Sequence, residues 1–435
     1  MLAEAFEFFS TLSTAQILAY FWPFFFLDML RYVIIEGVVL VKIGFQHSGY
    51  LVKQQLAIRK AFNDRPLVSI IVPGKNEGKH IPRLVESLKQ QTYKNYELII
   101  VDDGSDDDTE SLCRSLLHQK KIDQFIRNEE RGGKASAANI ALQYCNGEYV
   151  LHLDADSHLV PRSIEHLLSY FYMYPNAGVI GGDVRVFNVS DSITTQLQNI
   201  EYSKSLMLGR TVASELSILR IVSGACGLFK RDLLQKVHGW DVGPGLDGDI
   251  TLKIRKLNYE VIHCPEAECY THVPHRFSKL SKQRYRWDKS MIRFRLRKHR
   301  DMLLPSAEFK FSNFYSVFEN LFFNLFLDLK WFIYLIQVTT TFSGDKILLI
   351  FIINYFLYFV SNVVQYLFIL YFKGLKGQYH DHKTALFLPL MPMYTGLYLR
   401  AVRTFSYLME LFHKRSYSDP WNPWKVSKIA LKNHL

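Results

Sequence analysis

Two aspartates separated by one residue, Asp154-Ala155-Asp156, follow directly on the apolar run Tyr149-Val150-Leu151-His152-Leu153. Carboxylates two apart at a strand end can both reach one hard cation, and Mg²⁺ or Mn²⁺ held so takes further oxygens from a substrate phosphate. Such an ion stabilises a departing diphosphate as a Lewis acid. Lys134 follows Gly132-Gly133 at the head of a helical pattern, where a lysine and a helix N-terminus can both favour phosphate. In Gly245-Leu246-Asp247-Gly248-Asp249, Asp247 offers a carboxylate that could take the proton of an attacking hydroxyl, with Asp249 as the fallback. Downstream stands Gln283-Arg284-Tyr285-Arg286-Trp287. A guanidinium there can pair with a diphosphate, an amide can hydrogen-bond nearby, and an indole can stack beneath a sugar ring.

Each of these has an ordinary reading as well. Aspartate and serine cap helices and turns, lysine decorates surfaces, and tryptophan anchors helices at membrane interfaces. The order and spacing of the set favour a shared chemical site over these separate readings.

The elements that must position these groups are legible in outline. Leu67–Pro73, Glu97–Val101, Tyr149–Leu153 and Ala177–Gly182 are short apolar runs ending in turns, hence buried strands. Helical patterns lie between them at His80–Gln90, Thr109–Gln119 and Lys134–Tyr144, and a further helix is expected over 250–257. Strand and helix alternating in this way imply an α/β fold with a mostly parallel sheet and ligands at the strands' carboxyl ends.

The flanks differ in kind. Residues 14–43 form a long apolar stretch read as one kinked transmembrane helix, and 314–341 and 346–372 read as two more. For 385–412, with Pro389, Pro392, Arg400 and Arg403, crossing and re-entrant forms both remain open. No basic segment precedes the first span and no small-residue cleavage site follows it, so it is not read as a signal peptide. Arg31, Lys42, Lys53, Arg59 and Lys60 after it place the next domain in the cytoplasm. The chain of 435 residues carries a net charge of +11, much of it within 276–300. There the basic residues interleave with Phe277, Leu280, Trp287, Met291 and Phe294, which favours a membrane surface over nucleic acid. Five cysteines without metal-binding spacing read as reduced thiols. The organisation expected is a span in 1–45, a soluble domain over 46–275, interface helices over 276–308, a membrane region over 309–412 and a basic tail over 413–435.

Taken together, Val101-Asp102-Asp103-Gly104-Ser105, the two aspartate triplets and Gln283–Trp287 resemble the membrane-embedded family-2 glycosyltransferases that polymerise cellulose, chitin, hyaluronan and poly-N-acetylglucosamine. The resemblance covers residues 66–305. It implies a GT-A type nucleotide-sugar-binding domain between transmembrane helices, a UDP-sugar donor and a growing glycan as acceptor. It assigns donor binding to Asn76, Glu77, Asp102, Asp103, Lys134, Asp154, Gln283, Arg284, Arg286 and Trp287. Metal ligation falls to Asp154 and Asp156, and the base is Asp247. Gly224, Ala225, Cys226 and Trp287 would line the acceptor, since small residues let a sugar approach the backbone closely. Leu246 stands where the family has glutamate, which loosens the register and keeps Asp249 in play. The activity implied is processive, inverting β-transfer with export of the polymer, in the inner membrane, with an accessory export protein or an oligomer as partner. Two other readings compete: a non-processive transferase adding one sugar to a lipid-linked acceptor, and a silent membrane scaffold.

Overall fold

The computed structural model describes residues 4, 7, 8, 10–243, 245–305, 309–377, 382–418 and 422–432. These fall into two compact units, one of 1–46 with 318–404 and one of 47–317 with 405–435.

The second unit is built on an eight-stranded sheet in the order β3-β2-β1-β4-β7-β6-β8-β5. Its strands are β1 Val68–Gly74, β2 Tyr96–Asp102, β3 Gln124–Arg127, β4 Tyr149–Leu153, β5 Ser157–Leu159, β6 Ala177–Val186, β7 Cys226–Lys230 and β8 Glu260–Thr271. Only β7 and β5 run against the other strands. Alternation of side chains along each strand divides the apolar residues between two faces. From β1, Ile70 and Val72 join a core with Leu84, Leu88, Leu167 and Phe171, while Ile71 joins Ala138, Leu142, Phe229 and Ile254 on the opposite face. Helices cover both faces, as a sheet of mainly parallel strands requires. The expected strands and helices are present within one to four residues of their predicted ends. One helix begins earlier than expected, at Leu246 rather than 250, so Asp247 lies in its first turn.

The basic stretch folds as an α-helix, Phe277–Ser290, continued by π-helical Met291–Lys298. Both pack within the sheet's unit, as does the chain after Phe405: Tyr285 meets Phe405 and Arg297 pairs with Glu410 at 2.6 Å. All five cysteines are free and buried.

In the first unit, helical turns run without a break from Thr14 through Ile35 and on into the helix Glu36–Asp64, whose residues 36–46 belong to this unit. Among the described residues three helices are long and apolar enough to cross a membrane: Phe311–Thr341, Gly344–Leu375 and Lys383–His413. The N-terminal stretch expected to span is not among them, and Asp28 and Arg31 interrupt its apolar run. Charges inside this unit are paired: Arg31 with Glu319 at 2.9 Å, and Asp328 with Arg400 at 3.1 Å and Arg403 at 2.5 Å.

Candidate active site

The carboxyl ends of β1, β2 and β4 lie side by side, because β1 pairs in parallel with both neighbours. Asn76 and Glu77 follow β1, Asp102 and Asp103 end β2, and Asp154 follows β4. The antiparallel β7 sets Cys226 opposite Leu153, so Gly224 comes to the same edge from the other direction. The carbonyl of Gly224 accepts a 2.6 Å bond from Nδ1 of His152, fixing that approach. A methyl group added at Gly224 would lie 2.6 Å from Oδ1 of Asp247. Glycine is thus required for the carboxylate of Asp247 to sit against the β7 turn.

Lys134 is the hub. Its ammonium bonds a carboxylate oxygen of Asp154. Burial works against its charge, yet Asp154, Asp247 and Asp156 together hold its pKa above the ordinary lysine value. The same field acts in reverse on Asp154. Burial opposes ionisation there, but Lys134, then His152 and Arg286, hold the carboxyl below its usual range. At Asp156 the Lys134 charge is outweighed. Burial and the Asp154 charge push it up to about 6, and burial with Asp156 and Asp154 pushes Glu77 up to about 7. Burial and Lys134 lower the pKa of His152.

This crowding of acids bears on the expected metal. Among the described residues no group of three His, Cys, Asp or Glu side chains is placed to hold an ion. Two adjacent carboxylates, one kept from ionising fully by the other, fit a hard cation that draws its remaining oxygens from a substrate.

Several expected contacts are placed otherwise. Asp102 is sealed from solvent, accepting from the backbone N–H and hydroxyl of Ser105 and pairing with Arg127 at 3.0 Å, so it shapes the turn. Asp103 accepts from the N–H groups of Gly132 at 2.8 Å and Gly133 at 2.7 Å, and from Asn128, and so sets the loop that presents Lys134. Asn76 joins the same scaffold through Ser105 and the Asp106 N–H. Asp249 is corrected as a candidate base: it is fully buried, bonded to Nε2 of His299 at 2.7 Å and to Lys298 at 2.9 Å, and held down at about 2. The side chains of Ala225 and Cys226 lie in the core, while Gly224 stands against the Asp247 carboxylate.

On the Phe277–Ser290 helix, 100° per residue sets Gln283 and Trp287 nearly in line, with Arg286 on one flank and Arg284 on the other. Arg286 is the flank whose charge reaches Asp154. Arg284 pairs with Glu201 at 3.0 Å instead. Two participants escaped the sequence reading. His152 carried a signal, a histidine inside an apolar strand, whereas Glu201 is an ordinary surface-type residue in sequence and has its role only through the pairing.

Comparisons with known proteins bear on the sheet-bearing unit. Residues 69–238 match the model of the family described as Glycosyl transferase family 2. The poly-beta-1,6-N-acetyl-D-glucosamine synthase of Staphylococcus epidermidis is 30% identical over 222 residues, which are 51% of this chain and 53% of that protein. The Staphylococcus aureus (strain COL) protein of the same name is 28% identical over 240 residues, 53% of this chain and 58% of its own length. The chain thus spans somewhat over half the length of the curated relatives it matches. A mannosyltransferase from Pyrobaculum calidifontis, solved in complex with GDP-Man and Mn²⁺, superposes with a TM-score of 0.58 at 20% identity, over 87% of this chain and 99% of its own. That likeness is one of fold, the GT-A type.

Proposed function

We propose, starting from a chain whose residues 69–238 form a family-2 glycosyl transferase domain, that this protein is a processive, inverting β-glycosyltransferase. It extends a glycan from a UDP-sugar and passes the product across the membrane that its apolar helices occupy. The observation carrying this reading is the Lys134 ammonium, which bonds Asp154 and is held in its charged form by the fields of Asp154, Asp247 and Asp156. The named relatives are polymer synthases, and Lys134, Asp154 and Asp156 lie within the residues 69–238 matched to the family.

Asp247 accepts the proton of the acceptor hydroxyl as that oxygen attacks the anomeric carbon. The bond from this carbon to the diphosphate breaks, UDP leaves on the opposite face, and configuration inverts. Lys134 and Arg286 balance the phosphate charges, and the dipole of the Lys134–Gln143 helix adds to them. A divalent cation, Mg²⁺ or Mn²⁺, would be held by Asp154 and Asp156 and would supply Lewis-acid stabilisation of the leaving diphosphate. Trp287, 37% exposed, offers its ring to the acceptor sugar. His152 keeps the Gly224 carbonyl, and with it the space beside Asp247, in place.

Asp247→Asn in purified protein is expected to lower polymer synthesis from a UDP-sugar by about 10²–10⁴-fold. Donor binding is expected to persist. Unchanged polymer yield would remove Asp247 as the base and the reading with it.

A further inference from the structure

Arg284 lies within the Gln283–Trp287 stretch, yet it faces away from the diphosphate side. Its guanidinium carbon stands 4.8 Å from the centre of the Trp287 ring, one helical turn on, and 5.9 Å from that of Tyr202. Glu201 approaches it at 3.0 Å, and both partners' side chains are only 14% exposed. Glu201 and Tyr202 end the helix Ile193–Tyr202, so the arginine is wedged between two rings and held by a carboxylate from another element. A half-exposed indole on a helix surface has several rotamers open to it. A guanidinium fixed over one face leaves the opposite face as the one it can present.

We propose that Glu201 is a positioning residue which, through Arg284, fixes the ring of Trp287 for the acceptor sugar and thereby sets how long the growing glycan is retained. This rests on the functional reading above and deepens it. Glu201 touches neither donor nor acceptor. Its carboxylate holds Arg284, and Arg284 holds the ring that the sugar stacks on. Separation from the donor side follows from the helix itself, because Arg284 and Arg286 point to opposite flanks.

The test uses the full-length protein in detergent or vesicles, with UDP-N-acetylglucosamine as donor and short β-linked N-acetylglucosamine oligomers as acceptors. Glu201→Gln is expected to raise the acceptor KM about fivefold, near the upper end for one exposed cation–π contact, and to shorten the polymer. The donor KM stays within about twofold. Glu201→Asp, keeping the charge, restores most of the chain length, and Arg284→Gln reproduces the Glu201→Gln phenotype. A donor KM that rises in step with the acceptor KM overturns the assignment and returns Arg284 to the diphosphate. Wild-type product lengths and acceptor KM in Glu201→Gln overturn it equally. If the wild-type protein makes single-sugar products only, the processive reading falls first and this inference falls with it.

Discussion

Asp156 is a carboxylate whose burial and neighbouring Asp154 charge outweigh the pull of Lys134. Its carboxyl stands at about 6 rather than 3.8, through burial and the Asp154 charge. A pKa raised in the folded state means that stability is fullest below the unfolded value and falls as pH rises through about 6. Ionised at pH 7, such a group costs up to roughly 3 kcal/mol. Metal-free Asp156→Asn is therefore expected to be more stable than wild type by about 1–3 kcal/mol near pH 7, and the two should converge near pH 4. Thermal unfolding of chelator-treated protein across that range measures this, and a less stable Asp156→Asn at neutral pH would contradict it. Added Mn²⁺ should raise the wild-type midpoint and leave that of the variant nearly unmoved.

At the scale of elements, Asp249 shows how a motif residue can serve the site without entering it. It shares the first turn of Leu246–Lys256 with Asp247, but faces Lys298 and His299 at the end of the interface stretch. Lys298 also pairs with Asp241, which Lys253 meets at 2.8 Å, so one charge network ties the helix carrying the proposed base to the basic segment. Asp249→Ala leaves Lys298 facing an unfilled acid position and is expected to lower stability by about 3 kcal/mol. His299→Gln, which still offers a donor, should cost about 1 kcal/mol. Thermal melts in detergent check both, and equal melts for wild type and Asp249→Ala would deny the clamp. The donor loop gives a second case. Gly133 has φ +89° and ψ 164°, a conformation open to glycine almost alone, and Asn422 Oδ1 lies 3.0 Å from where a Cβ would stand. Gly133→Ala is expected to raise the donor KM about tenfold by displacing Lys134, measured with UDP-sugar at saturating acceptor.

For the whole molecule, the functional reading requires synthesis on one side of a membrane and product on the other. Vesicles with the sheet-bearing unit outward, supplied with labelled UDP-sugar, should accumulate polymer in the lumen, protected from added glycosidase until detergent is present. Complete digestion without detergent would show that synthesis proceeds without translocation.

Much of this protein is fixed by local pattern. Apolar runs ending in Asp102, Asp103 and Asp154 specify buried strands whose carboxyl ends carry acids, because period and length alone distinguish such strands. Long stretches rich in apolar residues specify the helices Phe311–Thr341 and Gly344–Leu375 through their length and mean hydropathy. What no local pattern contains is pairing. The long strand β8 is not legible because Pro265, Glu266 and Glu268 break its apolar run; the pairing with β6 skips from Cys264 to Glu268 through an irregularity and then resumes. Asp247 and Asp249 are equivalent in sequence, two acids in one turn. Folding alone separates them, setting one against Gly224 beside Lys134 and burying the other against His299, where its proton affinity falls too low for a base. Likewise Arg284 and Arg286 are alike as residues and lie on opposite flanks of one helix, and only the fold brings Glu201 to the first of them.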